Sequence, residues 1–198
     1  MFIPKPFQQK NTEELYSFIQ SYSFGQLVTI QNNLPVVTPI PILLSDDKSR
    51  LLGHLARGNP QHEQLDGQNV LMTLMGEHGY VSPSWYTVPG GVPTWNYQSV
   101  QITGKINLIE QSEQKQQIVE QLSRANEISF DHPWEPNYEL GMLAGIVAFE
   151  IIIDEIEGKY KLSQNKSEED QLSVIEHLKQ HGKNGLAKEM TRVKNLPT

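Results

Sequence analysis

The alternation of apolar and polar residues predicts strands over most of the chain. Phe24–Ile30 and Pro35–Leu44 have the composition of strands, and the sequence QNNL between them is typical of a hairpin turn. Three prolines in the second segment favour an edge position, because proline cannot donate a ladder hydrogen bond. Further strands are predicted at 49–56, 69–76, 80–86, 94–109 and 146–162, with a turn at 77–79.

A helical spacing of apolar residues is confined to a few segments. Asn11 can cap a helix, and Glu14 three residues later completes a capping-box-like start. Asn59 followed by Pro60 predicts the start of a short helix. Longer helices are predicted at 111–126 and from Ser167 onward, with a loop at 87–93 and a loop holding one helical turn at 132–145.

Many strands and few helices predict a mainly β protein with flanking helices, of the α+β class. An antiparallel sheet of this size in one domain usually closes as a barrel. We expect residues 1–162 to form the barrel domain with its peripheral helices. Residues 163–198 are expected to form a C-terminal helical extension packed on the barrel.

Composition narrows the class of protein. The chain has 198 residues, a net charge of −7 and no cysteine, so disulfides and thiolate chemistry are excluded. No apolar run reaches the roughly 18 residues of a membrane span, and the N-terminus lacks a secretory signal. We therefore expect a cytoplasmic protein without a membrane anchor. The six histidines form no metal-ligand pattern, and we expect them to be solvated.

The sequence HLARGNPQ, residues 54–61, has the residue types of an anion site. A predicted strand ends here and a helix begins at Asn59, so unpaired N–H groups and a partial positive charge are expected. Arg57 adds a guanidinium group suited to phosphate. An ordinary capped turn with a surface arginine is the alternative, and the residue types alone favour it.

Two tryptophans and three tyrosines surround a loop rich in proline and glycine, in YVSPSWYTVPGGVPTWNY at residues 80–97. Aromatic faces bind flat ligands, and Asn96 could orient such a ligand. A small hydrophobic core beneath the loop is the alternative, and by residue type alone it is favoured.

The sequence KLSQNKSEED, residues 161–170, divides into two parts. Ser167 and the three carboxylates after it predict a helix start that is unsuited to phosphate. The side-chain amides of Gln164 and Asn165 would suit the carbonyl groups and ring nitrogens of a heterocycle.

Together these motifs, with GIVAFEI at 145–151, occur in the order and approximate spacing of one family. The chain resembles the PaiB-type FMN-binding negative transcriptional regulators, from MFIPKPF at its start to the helix after Ser167. The resemblance implies a split β-barrel related to the pyridoxamine-phosphate-oxidase-like flavoproteins, in which a homodimer binds FMN at the subunit interface. Two positions depart from the family pattern: Gly58 replaces a frequent alanine, and Lys166 replaces the usual arginine.

The resemblance also implies residue roles. His54, Arg57 and Asn59 would lie near the FMN phosphate. Trp95, Asn96 and Tyr97 would face the isoalloxazine ring. The ring or ribityl chain would be approached by Lys161, Ser163, Gln164 and Asn165.

Three functions remain open from the sequence. The first is a flavin-binding negative transcriptional regulator, acting directly or through flavin chemistry or a partner protein. The second is an FMN-dependent oxidoreductase that takes hydride from a nicotinamide donor. The third is a binding module whose flavin site has decayed, which Lys166 motivates. Direct DNA contact has weak support, because only the window Leu178–Lys194 is basic, with five basic residues against one acidic residue.

Overall fold

The computed structural model describes residues 1–194 and contains one antiparallel sheet with flanking helices. The order of the strands across the sheet is β3-β2-β6-β7-β8-β5-β4, and β1 pairs with β8. The strands are β1 (Gln8–Gln9), β2 (Phe24–Gln31), β3 (Leu34–Pro41), β4 (Leu43–Leu44), β5 (Arg50–Ala56), β6 (Asn69–Val81), β7 (Thr94–Ile109) and β8 (Ile146–Lys161).

Four α-helices and four short 3-10 helices accompany the strands among the described residues. The α-helices are α1 (Thr12–Ser21), α2 (Ser112–Glu127), α3 (Glu168–Gln180) and α4 (Asn184–Lys194). The 3-10 helices are Lys5–Phe7, Pro60–Gln64, Pro83–Trp85 and Leu140–Gly145. The predicted fold class, mainly β with flanking helices, is confirmed. The ladder does not close among the described residues, because β3 and β4 form the two ends of its order.

The chain folds into two compact units that do not follow its linear order. The central unit contains Tyr16–Leu74 and Gln101–Ile156. The terminal unit contains Met1–Leu15, Met75–Val100 and the described residues from Glu157 onward. The long strands β6, β7 and β8 each contribute residues to both units. The division predicted from sequence, at residue 162, stays a prediction.

The β2–β3 hairpin of the central unit has the predicted turn. Asn32 and Asn33 have φ of 50° and 62°, the left-handed conformation that asparagine tolerates in a two-residue hairpin turn. The predicted edge position of the proline-containing strand is confirmed, since β3 pairs with β2 and ends the strand order. The hairpin therefore leaves one row of β3 backbone groups outside the ladder.

Packing in the central unit places α2 against the sheet. Its buried residues Ile118 and Leu122 cluster with Ala148 of β8. Leu43, Leu52 and Ile109 pack around this cluster. The helix predicted at residues 111–126 is thus confirmed, and burial of this face is the main source of its stability.

The turn predicted at residues 77–79 is wrong. β6 is a single strand from Asn69 to Val81, and residues 83–85 form a 3-10 helix instead of continuing a second strand. Buried positions change parity between Gly76 and Gly79, as one extra residue of a β-bulge produces. A Cβ atom on Gly79 would lie 3.0 Å from Leu186 of α4. This glycine marks the close approach of a helix rather than a turn.

The terminal unit packs α3 and α4 together, with Val174, Leu178, Leu186 and Met190 buried. Ser167 caps α3 as predicted, since its hydroxyl accepts a hydrogen bond from the Asp170 amide at 3.2 Å. Asn11 likewise caps α1 by accepting from the amides of Glu13 and Glu14. Within residues 1–194, the helices are all too short or too polar to cross a membrane.

Candidate functional site

The HLARGN segment lies in the central unit, where its polar side chains already have protein partners. The Arg57 Nε donates to the Ala144 carbonyl at 2.9 Å, and an Nη donates to the Ile146 carbonyl at 3.1 Å. Asn59 accepts from the Gln61 amide at 3.0 Å and donates to the Thr38 hydroxyl at 3.0 Å. The helix that follows is a five-residue 3-10 helix. Arg57 and Asn59 therefore stabilise the local fold. The Gln61 amide at the start of the 3-10 helix already donates to the Asn59 side chain, so it is not free to bind an anion.

Gln61 forms a buried polar network that the sequence reasoning did not identify. Its side chain is completely buried. Its Nε2 donates to the Thr29 hydroxyl at 2.9 Å and to the Val36 carbonyl at 3.3 Å, and its Oε1 accepts from Thr38 at 2.5 Å. The network ties the 3-10 helix to both strands of the hairpin. A glutamine one residue after Asn-Pro carries no sequence signal that distinguishes it from a surface residue.

His54, on β5, is half-buried, and its Nδ1 is buried without a hydrogen-bond partner among the described residues. Burial lowers the pKa of this histidine below its ordinary value. The ring is therefore neutral near pH 7, and it has no charge to offer a phosphate group.

The motifs around Trp95 and Lys161 meet in the terminal unit. The ammonium of Lys161, at the end of β8, donates to the Thr94 hydroxyl at 2.6 Å and to the Trp95 carbonyl at 2.5 Å. The Trp95 side chain is 54% exposed, which leaves much of its indole in solvent. Two segments that are 66 residues apart in the chain thus meet through the Lys161 ammonium and the Trp95 backbone. The Trp95 ring itself lies 6.4 and 6.3 Å from the rings of His78 and Tyr80, measured between centroids.

Asn96 and Ser163 form the buried part of this region. Asn96 donates to the Ser163 hydroxyl at 2.9 Å and lies 3.4 Å from the Met190 sulfur of α4. Ser163 has a φ of 67°, which a β-branched residue would adopt only with strain. These two residues hold the end of β8 against β7, and both are buried.

Gln164 and Asn165 differ in what they contact. The Gln164 Oε1 accepts from the Leu162 amide at 2.7 Å, and its Nε2 donates to the Tyr160 carbonyl at 2.5 Å. The Gln164 amide therefore closes its own turn. Asn165 is exposed, so its amide faces solvent.

Three lysines form a cationic group with aromatic rings, which we call the lysine cluster: Lys159, Lys161 and Lys166. Burial first, and then the charges of Lys159 and Lys166, lower the pKa of Lys161. Each ammonium lies over aromatic carbon: Lys159 over Phe2 and Tyr97, Lys161 over Phe7, and Lys166 over Tyr86, at 4.5 to 6.0 Å from the ring centroids. Such a group attracts an anion that also has an apolar or aromatic part.

The loop between β6 and β7 is fastened to α3. The amide and hydroxyl of Thr87 donate to Asp170 at 2.7 and 2.8 Å, and they hold the pKa of this carboxyl below its ordinary value. Trp85 stacks on His177, with ring centroids 5.4 Å apart, and contacts the tilted ring of His181 at 5.3 Å. Two of the six histidines that were expected to be solvated, His177 and His181, thus have an aromatic partner. Of the carboxylates predicted to start α3, Asp170 also anchors this loop.

The structure divides the predicted site residues between the two units. His54, Arg57 and Asn59 lie in the central unit, and the remaining seven lie in the terminal unit. Lys159 and Lys166 complete the cluster around Lys161, and neither was among the predicted site residues. A lysine two positions before Lys161 on a strand was a signal that could have identified Lys159, because residues i and i+2 share a face.

Comparison with known proteins gives a family match over most of the chain. Residues 1–155 match the family model described as "Putative FMN-binding domain". The chain is 39% identical over 201 residues to "Protease synthase and sporulation protein PAI 2" of Bacillus subtilis, covering 98% of this chain and 96% of that protein. It is also 30% identical to an uncharacterised protein of Emericella nidulans, covering 81% of this chain and 75% of that protein.

Two solved structures show the same fold at low identity. The flavocytochrome Anf3 from Azotobacter vinelandii has a TM-score of 0.66 and 16% identity, covering 84% of this chain and 75% of that one. A FAD and heme binding protein from Mycobacterium smegmatis also has a TM-score of 0.66 and 16% identity, covering 84% and 78%. The chain therefore belongs to the PaiB-type FMN-binding family that its motifs resemble, with the fold of the split-barrel flavoproteins.

Proposed function

We propose that this protein binds FMN and acts as a negative transcriptional regulator. The observation that supports cofactor binding is the lysine cluster, whose ammonium groups lie over aromatic rings in the same unit that exposes the Trp95 indole. FMN combines a phosphate dianion with a flat ring system, and this region supplies cations and an aromatic face within one compact unit. The regulatory half is supported by the sporulation-related name of the Bacillus subtilis relative.

The donor set of the terminal unit fits FMN better than that of the central unit. Lys159, Lys161 and Lys166 bring three ammonium groups together, and the lowered pKa of Lys161 is raised again when an anion binds nearby. In the central unit, the Arg57 and Asn59 side chains are engaged with protein groups. We therefore assign phosphate binding to the lysines and ring binding to Trp95. Arg57 and Asn59 would instead stabilise the backbone of the central unit.

The cofactor proposal is tested by FMN titration followed by visible absorption and flavin fluorescence. Lys161→Met should weaken FMN affinity about tenfold or more, as expected for the loss of a charge-assisted contact. Lys10→Met removes an exposed lysine of the same unit and should leave the affinity unchanged. Equal affinity of wild type and Lys161→Met would contradict the assignment. A protein that never binds FMN would exclude both flavin functions.

Direct repression requires contact with DNA, and the positive charge available for such a contact is limited. Arg192, in the basic C-terminal window, pairs with Glu14 and Glu189, and Lys179 lies 3.8 Å from Glu176. The side chain of Lys194 lies outside the described residues. A gel-shift titration against the protein's own promoter, at near-physiological salt, separates direct from indirect regulation. Retardation no tighter than that of unrelated DNA would leave only an indirect route.

An FMN-dependent oxidoreductase is the second candidate function. The lysine cluster favours it, because fixed positive charge beside a flavin stabilises the added electrons of its reduced form. The protein's contribution would be to bind the cofactor and set its electronics. Oxidation of NADH or NADPH by the FMN-loaded protein, faster than by free FMN, would support it. A rate equal to that of free FMN would contradict it.

We also propose that the protein is a homodimer. The outer face of the β2–β3 hairpin is almost entirely apolar, with Val28 opposite Val37 and Ile30 opposite Pro35. Phe24, Ile30 and Val37 are about half exposed or more. Soluble monomers rarely expose an apolar sheet face of this kind. A second copy of the chain presenting the same face would bury it symmetrically.

A further inference from the structure

The segment between α2 and β8 forms an apolar recess on the surface of the central unit. The recess has a volume of about 290 Å³, and Trp134, Tyr138 and Met142 of this segment line it together with Val119 of α2. This volume is at the lower limit of small-molecule sites, which span roughly 300–1,000 Å³. A recess of this size suits a single apolar side chain of a binding partner.

Large apolar side chains of the recess are exposed to solvent. Trp134 is 43% exposed and Met142 is 68% exposed, although both line the recess. The rings of Trp134 and Tyr138 are nearly parallel, with an interplanar angle of 17° and centroids 6.1 Å apart. An exposed apolar patch with polar residues around it is typical of a protein interaction site.

Hydrogen bonds hold the backbone of this segment in place within the central unit. The Trp134 amide donates to Glu127 of α2 at 2.8 Å. Near the start of β8, the Arg57 guanidinium donates to the carbonyl groups of Ala144 and Ile146 at 2.9 and 3.1 Å. The surface is therefore formed before a partner arrives, which lowers the entropy cost of binding.

The same segment carries negative charge that is not neutralised within the protein. Asp131, Glu135 and Glu139 are exposed, and their carboxylates form no hydrogen bond or ion pair with any described residue. Residues 125–158 contain no lysine or arginine, and His132 is their one histidine. Any partner that covers the apolar side chains must therefore approach three free carboxylates.

This charge decides which kind of partner fits. The exposed Arg124 of α2 pairs with Glu120 at 3.7 Å, so it leaves the three carboxylates uncompensated. A second copy of the chain fits poorly, because a symmetric contact through this surface would bring like charges together. Lysine or arginine side chains complement the carboxylates, and such a cation also binds the exposed face of Trp134.

We propose that this surface binds a segment of a partner protein in which a bulky apolar side chain is flanked by lysines or arginines. The apolar side chain enters the recess, and the flanking cations pair with Asp131, Glu135 and Glu139. The inference requires neither FMN nor DNA binding. It supplies the protein contact through which regulation without direct DNA contact would act.

The test is a fluorescence-anisotropy titration of the full-length protein at near-physiological salt with a short rhodamine-labelled peptide. In this peptide a central Phe-Leu pair is flanked on each side by one lysine and one arginine. One control peptide replaces Phe-Leu by Ser-Ser, and another replaces the basic residues by glutamates. Each control should bind at least about tenfold more weakly, because it lacks either the apolar anchor or the complementary charge.

A substitution in the recess tests the apolar contact. Met142→Lys places a charge in the apolar lining and should weaken binding of the Phe-Leu peptide about tenfold. Because Met142 is exposed, the variant should fold as wild type does. Met75→Lys makes the same change at an exposed methionine of the terminal unit and should leave peptide binding unchanged.

Removal of the free carboxylates tests the charge contact. The combined variant Asp131→Asn, Glu135→Gln and Glu139→Gln should weaken binding of the Phe-Leu peptide about fivefold, as for several solvent-exposed ion pairs. A matched variant removes the same charge from three other exposed carboxylates of the central unit and should bind nearly as wild type does. Its substitutions are Asp46→Asn, Glu63→Gln and Glu113→Gln.

Several results would overturn the inference. The wild type could fail to bind the Phe-Leu peptide, or it could bind the Ser-Ser peptide equally well, which would reduce the contact to nonspecific attraction by an acidic protein. Unchanged affinity of Met142→Lys would place the binding surface elsewhere. Sedimentation of the wild type as a dimer and of Met142→Lys as a monomer would assign this surface to a second copy of the chain.

Discussion

Gln164 shows how a residue that looks free in the sequence can be committed by its own turn. Both ends of its amide bond the neighbouring backbone, whereas the adjacent Asn165 is exposed. Arg57 behaves in the same way, since its guanidinium binds two carbonyl groups of the central unit. At the scale of the residue, the structure separates side chains that hold the fold from those that remain free for a ligand.

Gln164→Ala and Asn165→Ala are therefore expected to differ. Loss of the two Gln164 hydrogen bonds should lower the free energy of unfolding by roughly 1–3 kcal/mol. Asn165→Ala should change it by less than about 0.5 kcal/mol, as for an exposed site. Urea unfolding measures both. If the motif binds FMN, Asn165→Ala should weaken FMN affinity without this loss of stability, and equal destabilisation by the two variants would contradict the distinction.

The hydrogen bonds of Asp170 lead us to expect that the free energy of unfolding depends on pH. Hydrogen bonds from Thr87 lower its pKa in the folded state below the ordinary value of 3.8. The carboxylate therefore contributes stability that is complete above about pH 5 and is lost as the pH falls through the lowered pKa. Asp170→Asn should be less stable than wild type at pH 7, and the difference should shrink at pH 3.

Urea midpoints at the two pH values provide the measurement for Asp170. Glu169→Gln is the matched control, because Glu169 occupies the same first turn of α3 but is exposed. This variant should show a much smaller change in its pH dependence. A difference between Asp170→Asn and wild type that is constant from pH 7 to pH 3 would exclude the proposed role of the Thr87 contact.

Helix starts and strand ends are the elements in which local sequence and tertiary contact combine. Ser167 caps α3, while Asp170 in the same turn anchors the loop between β6 and β7. Asn59 similarly caps a 3-10 helix, while the adjacent network around Gln61 joins that helix to the hairpin. In both helices the local sequence determines the first residue, because it supplies the cap. A polar contact with another segment then determines where the helix packs.

Ser167→Ala should cost about 1 kcal/mol of stability through the loss of the cap. The mutation leaves the lysine cluster unchanged, so FMN affinity should remain that of wild type. Thermal and urea unfolding give the first quantity, and FMN titration gives the second. A large loss of FMN affinity at unchanged stability would assign Ser167 to the ligand site instead of the helix.

Gln61→Ala should destabilise the central unit by roughly 1–3 kcal/mol, because Thr29 and Thr38 lose a buried partner. Gln64→Ala, at the last residue of the same 3-10 helix, changes an exposed side chain and serves as the control. Hydrogen exchange of the β2–β3 amides would locate the effect. Equal stability of the two variants would show that the Gln61 network contributes little.

On the scale of the whole molecule, the surface properties point to association. The chain carries a net charge of −7, yet the hairpin face around Val28 and Val37 is apolar. Repulsion between like-charged copies must be overcome by burial of that face. The fold alone does not establish an oligomer, so the exposed apolar side chains carry the dimer proposal.

Val37→Lys should convert the proposed dimer to a monomer, because each copy would bury an unpaired lysine charge in the apolar interface. Val88→Lys introduces the same charge at an exposed valine of the terminal unit and should leave the dimer intact. Sedimentation velocity distinguishes the two states. A wild-type protein that sediments as a monomer, or a Val37→Lys variant that remains dimeric, would place the interface elsewhere or remove it.

Local sequence patterns determined most of the strands and helices of this protein. The hairpin at Asn32 and Asn33, the caps at Asn11 and Ser167, and the whole of β7 and β8 follow from turn chemistry, capping and alternation, which act over a few residues. The long motifs likewise determined the family, because their residue types and order are specific.

Tertiary structure decided which of those residues meet. The sequence around Gly79 predicts a turn, but β6 continues through that glycine, where Leu186 of α4 approaches the backbone closely. The lysine cluster joins Lys161 to the Trp95 segment across 66 residues, and the Gln61 network joins residues 23 to 32 positions apart. Contacts at such separations depend on how the strands are arranged, which local propensity does not encode. These long-range contacts determine which polar side chains are hydrogen-bonded within the protein and which remain available to bind a ligand.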